Sequence, residues 1–488
     1  MRMRQAPEMP LLAAMQGYLA EQVAPFHTPG HKAGKGAPEV LLQHLGSSAL
    51  ALDLAVVPGL GDLFDKQGPI RESQQLAAAL YGADESYYLV NGTTGGIYAM
   101  ILATVGPGEK IIVPRNIHRS VMGGLILSGA MPVFVQPVVD DCLQIAMNVT
   151  TESMAATMDR HPDAKAVLLV NPTYYGVAAD LVAITELAHR RGMLVLVDEA
   201  HGPHFHFSSQ LPVSGVRAGA DLVVQSTHKI LGALSQASLL HCRRDRISVP
   251  RLETMLQLTQ SSSPNYILLA SLEAAVQQMA TAGAELVDRS IQLARSAREQ
   301  INEIPGLFCF GPERTGAPGV FGHDPTKLAV TVSGLGIQGN DAEMWLRCVG
   351  KVQAELSDWN NVLFLITLAD DQADIARLIE ALQWLAREHV GGRQAAAAVL
   401  APLPEAATML ELSPRAALFS RREQICFAES AGRICAETVT CYPPGIPILV
   451  PGERIAPAVV QYCLTLQQQG YTILGPEDPT LNTLEVVA

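Results

Sequence analysis

Short, continuously apolar runs alternate with helix-length amphipathic stretches between about residue 60 and residue 245. "SYYLV" precedes a helical stretch from Gly95 to Val105, "KIIVP" precedes "HRSVMGGLILSG", and "KAVLLV" precedes "DLVAITELAHRRG"; "MPVFVQ", "MLVLVDEA" and "DLVVQSTHK" complete the series. Strands that are apolar at every position, rather than every second one, are what a mainly parallel sheet covered on both faces requires. The pattern predicts an α/β domain. Residues 265–304 keep helical periodicity without a proline, long enough to connect this unit to the C-terminal third of the chain. Beyond them, "TKLAVTVS", "NVLFLITL" and "DIARLIEALQWLAREH" predict a smaller α/β unit, and the Ala/Pro/Gly-rich "VGGRQAAAAVLAPLPEA" reads as a linker to a last C-terminal segment. The expected organisation is an N-terminal arm over 1–60, a large domain over 61–320, a small α/β domain over 321–395 and a C-terminal domain over 396–488.

At 488 residues the chain exceeds what one hydrophobic core usually supports, in keeping with several packed units. No run approaches the roughly 20 apolar residues of a membrane span. The N-terminus, "MRMRQAPEMPLLAAMQGYLAEQ", has no continuous apolar core of a leader and reads as a short amphipathic helix. A soluble, cytoplasmic protein is expected. Eight cysteines, with no CxxC pair and no His/Cys cluster, indicate neither a disulfide framework nor a metal site. The net charge of −13 argues against a nucleic-acid partner.

Candidate chemistry gathers at strand ends. "YYLVNGTTGGIYAMILATV" is a strand, a Gly/Thr turn and a helix, placing backbone N–H groups and the hydroxyls of Thr93 and Thr94 at a helix N-terminus. Such a turn either binds a phosphate or simply caps its helix. "MLVLVDEAHG" ends a buried strand in Asp198, followed by Glu199 and His201. A carboxylate there could bind a metal, orient a histidine, hold a proton on a heteroaromatic nitrogen, or cap a helix. "QSTHKILGALSQAS" sets Ser226, His228 and Lys229 at the next strand end, where small and apolar neighbours imply a buried lysine. A phosphate cradle, a strand-end aspartate and a strand-end lysine together fit pyridoxal 5'-phosphate, with Lys229 forming a Schiff base to its aldehyde. His118, past another strand, stacks on the ring or is structural; Asn171 bonds the phenolic oxygen or belongs to an Asn-Pro turn.

The motifs "FHTPGHKAG", "DLFDKQGPIRESQ", "NGTTGG", "RNIHRSV", "NPTYYG", "VDEAHGPH", "QSTHK", "LSQASLLH", "SSSPNYILLASLE" and "YPPGIPILVPGE", in this order, resemble the signatures of the Orn/Lys/Arg decarboxylases. The resemblance implies the aspartate-aminotransferase fold (fold type I), with residues 61–320 as the cofactor-binding domain. By it, Lys229 is the Schiff-base lysine, Asp198 pairs with the pyridine nitrogen and His118 stacks on the ring. Thr93, Thr94, Gly95, Ser226 and His228 surround the phosphate, and His201 lies near the ring on the Asp198 side. Many members have a hydroxyl residue or alanine where this chain has Gly95-Gly96, which leaves one phosphate contact to the backbone. Acid-stress members carry a receiver-like domain before the arm; here "FHTPGH" begins at Phe26, and that domain is not expected.

The expected reaction is decarboxylation of a basic amino acid, with Lys229 or His228 returning a proton to the α-carbon. Resemblance to short biosynthetic members puts arginine first, feeding polyamine synthesis, with lysine and ornithine as alternatives. An aminotransferase or lyase of the same fold is a more distant rival, and a non-catalytic binding module should have lost the key residues. A homodimer is expected, its arm and "SSSPN" segment reaching the partner's cofactor. The stiff segment "YPPGIPILVPGE" suggests that Glu453 faces the substrate's distal cation; alternatively Glu453 caps a helix starting near Ile455.

Overall fold

The computed structural model describes residues 9–389, 408–442, 446–468 and 472–488. The expected linker, 390–406, and the expected boundary at residue 395 lie outside them. The chain divides into two units, each assembled from two stretches: Met1–Ala103 with Leu196–Asp288, and Thr104–Val195 with Arg289–Ala488. This partition differs from the four consecutive segments expected.

In the first unit, the strand Glu85–Leu89 runs antiparallel to Ser238–Cys242, which runs antiparallel to Leu222–Gln225. Leu222–Gln225 in turn lies parallel to the end of Leu194–Asp198. Every residue of the first three strands is buried, as the apolar runs require. The helix Gly92–Thr104 follows the turn after Leu89, beginning three residues before the predicted Gly95. Gly96 lets it lie directly on the sheet: a Cβ there would sit 2.6 Å from Leu89 Cδ1 and 2.7 Å from Val224 Cγ2. The glycine is thus required by packing. A core of Leu11, Met15, Ile70, Tyr88, Leu239, Leu269 and Leu272 joins the N-terminal helix Pro10–Ala20 to the sheet and to the long helix Tyr266–Asn302. That N-terminal helix has no local side-chain cap. Instead Glu273 accepts from Leu11 N–H at 2.9 Å and Leu12 N–H at 2.7 Å, supplying a carboxylate to the positive end of the helix.

In the second unit, Lys110–Pro114 is flanked in parallel by Met131–Val135 and Ala166–Val170. A separate antiparallel sheet has Lys327–Thr331 and Asn361–Leu365 at its centre, edged by Phe308–Cys309 and Leu356–Ser357. The amphipathic helix Gln372–His389 covers it, burying Ile375, Leu378, Leu382 and Leu385. The last stretch has its own core, with Phe427, Val439, Leu449, Ile455, Val459 and Leu484 among its members. No described helix is long and apolar enough to cross a membrane.

Candidate active site

Three hydroxyls meet at the turn after Leu89. Thr93 stands in the first turn of Gly92–Thr104, Ser226 follows the strand Leu222–Gln225, and Ser238 opens the strand Ser238–Cys242. Thr93 Oγ1 hydrogen-bonds Ser226 Oγ, and Ser238 Oγ lies 3.1 Å from it. All three residues are buried, whereas Thr94 is exposed and Gly95 buried. A Cβ on Gly95 would lie 3.1 Å from Asn91 Cβ and 3.3 Å from the Thr259 carbonyl, so the backbone approaches closely there. Hydroxyls held together at the N-terminus of a 13-residue helix form the donor set a phosphate takes.

Lys229 lies in the short helix Thr227–Ile230, half-buried, with Nζ 2.9 Å from His201 Nε2. His228 directs its Nδ1–H to the Ala237 carbonyl at 2.9 Å, which fixes its ring against the backbone. Asp198 ends its strand 5 % exposed, its Oδ1 accepting from Ala200 N–H at 3.2 Å. His201 is thus the imidazole at the lysine amine, whereas His228, expected beside the phosphate and as an alternative to Lys229 in returning the proton, turns Nδ1 to the backbone.

Behind Asp198 runs a buried polar chain whose partners the sequence pattern does not announce. Glu199 accepts from Gly215 N–H at 2.7 Å and from Gln225 Nε2–H at 2.6 Å. Gln225 Oε1 takes the Nε2–H of His241 at 3.2 Å, and His241 Nδ1 takes the Ser86 hydroxyl at 2.7 Å. Burial pushes Glu199 up to about 8, the Gln225 and Gly215 donors opposing it and the neighbouring Asp198 reinforcing it. Burial also pushes His241 down to about 3. Alternation along the strand sends Glu199 to the face opposite Asp198, so a DE pair at a strand end was the signal available in the sequence.

In the second unit, Asn171 is fully buried; its Oδ1 accepts from Ala179 N–H at 2.9 Å, and its Nδ2 has no partner among the described residues. A buried amide donor left over is of the kind that a cofactor's phenolic oxygen would take. His118 is the N-cap of the helix Arg119–Ser128, its Nδ1 accepting from Ser120 N–H at 3.3 Å and lying 2.7 Å from Ser120 Oγ. The cap sets the ring's plane. Within the first unit, hydroxyl cradle, strand-end carboxylate and amine match phosphate, pyridine nitrogen and aldehyde, so these residues fit pyridoxal 5'-phosphate.

Glu453 is a correction. It lies in the strand Glu453–Ile455, 1 % exposed, so it caps no helix. Arg115, which is 0 % exposed, pairs with it through both guanidinium branches, Nη1 to Oε1 at 2.5 Å and Nη2 to Oε2 at 2.8 Å; Val450 N–H also donates to Oε2 at 2.8 Å. Both oxygens are thus engaged within the chain, and a carboxylate already paired with Arg115 offers little to a substrate guanidinium. Breaking such a buried pair from one side costs about 3–5 kcal/mol.

Residues 9–374 match the family described as Orn/Lys/Arg decarboxylase, major domain, and residues 393–476 match its C-terminal domain. The chain is 43% identical over 485 residues to the arginine decarboxylase of Halalkalibacterium halodurans, covering 99% of each chain. It is 42% identical over 483 residues to the arginine decarboxylase of Bacillus subtilis, covering 98% of each. The Francisella novicida lysine decarboxylase superposes with a TM-score of 0.85 at 21% identity, over 98% of this chain and 80% of that one. The ureidoglycine-glyoxylate aminotransferase of Bacillus subtilis superposes at 0.55 and 16% identity, over 71% and 91%. These likenesses give the fold, that of the fold type I enzymes, and the sequence matches give the family: the chain belongs to the Orn/Lys/Arg decarboxylases.

Proposed function

We propose that the protein decarboxylates L-arginine to agmatine and CO₂ with pyridoxal 5'-phosphate. The observation that carries the substrate is identity of 42–44% to relatives named arginine decarboxylase, over nearly the whole chain in the longest matches. When bound, the cofactor supplies an electron sink for the pair left on the α-carbon as CO₂ departs. The chain's residues do the rest. Thr93, Ser226, Ser238 and the first N–H groups of the helix Gly92–Thr104 hold the phosphate. Asp198 would keep a proton on the ring nitrogen, Asn171 would donate to the phenolic oxygen and His118 would lie against the ring. Lys229 would hold the cofactor at its aldehyde. The 2.9 Å approach of His201 Nε2 to Lys229 Nζ supports His201 as the group that exchanges a proton with the amine before the α-carbon is reprotonated.

The smallest active unit in this reading is a homodimer, two-fold closure being the commonest oligomeric symmetry. CO₂ release measured with arginine, lysine and ornithine, each without a keto acid, tests the reaction and substrate together. Arginine should give a kcat/KM at least about ten-fold above the others, a difference of roughly 1.4 kcal/mol in transition-state binding. A higher value for lysine or ornithine would move the substrate assignment, and a requirement for a keto acid would replace decarboxylation by amino transfer. Sedimentation in the same buffer should show a dimer or a larger assembly of dimers.

A further inference from the structure

The strand Lys110–Pro114 and the helix Arg119–Ser128 form one strand–turn–helix unit with His118 at its joint. Its joint and the far end of its helix are held from the same distant part of the chain. At the joint, the Arg115 guanidinium makes four hydrogen bonds, all to the C-terminal segment: two to Glu453, one from Nε to the Pro447 carbonyl at 2.8 Å and one from Nη2 to the Ile448 carbonyl at 2.9 Å. Its guanidinium also lies 4.5 Å from the centre of the Phe134 ring. At the far end, Arg415 donates from Nη1 to the carbonyls of Leu127 at 2.9 Å and Ile126 at 3.4 Å, covering the negative end of the His118 helix. Its stem passes over Gly129, whose φ of 72° closes that helix and where a Cβ would lie 3.3 Å from Arg415 Cδ.

A fully buried guanidinium with every bond directed at one segment is a costly device for stability alone, since a well-packed apolar substitute often serves as well. What the pair adds is direction: a bidentate fork fixes angle as well as distance. Only Asn116 and Ile117 separate Arg115 from His118, and the helix that His118 caps is gripped again by Arg415. We propose that the C-terminal segment is a positioning element for His118, acting through the buried Arg115–Glu453 pair at the joint of the strand–helix unit and through Arg415 at the far end of its helix. The inference rests on the reading of His118 as the residue lying against the cofactor ring. It assigns Glu453 and Arg415 positioning roles, without contact to substrate or cofactor.

The test uses the visible circular dichroism of the holoenzyme, which reports how the cofactor ring is held, and the rate of cofactor loss after dilution. His118→Ala, Glu453→Gln, Arg415→Ala and Arg415→Lys are compared with the unaltered protein. Glu453→Gln and Arg415→Ala should shift the visible signal in the same sense as His118→Ala and speed cofactor loss about three-fold or more, within the range usual for coupling through packed elements. Arg415→Lys, which can still donate to the helix end, should restore the unaltered behaviour. If Glu453→Gln fails to fold, judged by far-ultraviolet circular dichroism, the exposed Arg415 pair of variants decides. An effect of His118→Ala with none from Glu453→Gln or Arg415→Ala would overturn the positioning role and leave the His118 reading standing. No effect of His118→Ala would overturn the reading itself, and the inference with it.

Discussion

Lys229 and Glu453 differ in how their surroundings are encoded. The neighbours that give Lys229 its meaning lie close in the sequence, since Ser226 and His228 share its turn and His201 is 28 residues away at the adjoining strand end. Removing the amine should leave the hydroxyl cradle of Thr93, Ser226 and Ser238 in place. Lys229→Ala is therefore expected to keep non-covalent cofactor binding while losing the long-wavelength band of the lysine–cofactor linkage. Turnover should fall by about 10³-fold or more. Absorbance and CO₂ release on the purified variant check both, and a band of undiminished strength would refute the assignment. Glu453 takes its meaning from Arg115, 338 residues away, and no local pattern announces a partner at that distance. The motif around it was legible, and its partner was not. Ser238 escapes notice for a similar reason: it looks like the first residue of an apolar strand until Thr93 and Ser226 are brought to it.

Among the elements, position was easier to read than direction. The runs expected as strands appear as Glu85–Leu89, Lys110–Pro114, Ala166–Val170, Leu194–Asp198 and Leu222–Gln225, and residues 265–304 contain the helix Tyr266–Asn302. Ser238–Cys242, however, is antiparallel to both neighbours although buried at every residue. Burial on both faces sets the apolar composition of a strand and says nothing of its polarity, so composition could not reveal this one. Gly96 shows what the contact between helix and sheet demands. Substituting valine would force Leu89 and Val224 apart or lift the helix Gly92–Thr104 off the sheet, at a cost of about 1–3 kcal/mol. Because Thr93 rides on that helix, Gly96→Val should lower the thermal midpoint and also weaken retention of the cofactor phosphate. Calorimetry and phosphate-competition binding read the two effects. A lowered midpoint with unchanged phosphate binding would confine the glycine's role to packing.

For the molecule as a whole, the buried chain behind Asp198 ties stability to pH. Glu199 holds its proton up to about 8 in the fold against 4.5 for an ordinary glutamate, so over that interval the folded state carries the extra proton. Its contribution is complete below 4.5 and is lost as pH rises through about 8. His241 works the other way: kept neutral down to about 3 instead of 6.5, it favours the fold as pH rises to 6.5. Between pH 6.5 and about 8 Glu199 acts without that opposition. The stability difference between the unaltered protein and Glu199→Gln should shrink across this window, by up to about 1.4 kcal/mol per pH unit. Thermal midpoints of both proteins at a series of pH values test it, and a difference independent of pH would contradict the role. Glu273 has a consequence of another kind, in time. The helix Pro10–Ala20 leaves the ribosome well before the carboxylate that closes it, which lies 262 residues downstream of Leu11. At about 5–20 residues per second, that partner is made some 13–50 s later. Through that interval the nascent helix has neither its cap nor the apolar face of Tyr266–Asn302 to cover Leu11 and Met15, which makes it a segment for a chaperone to shield during synthesis.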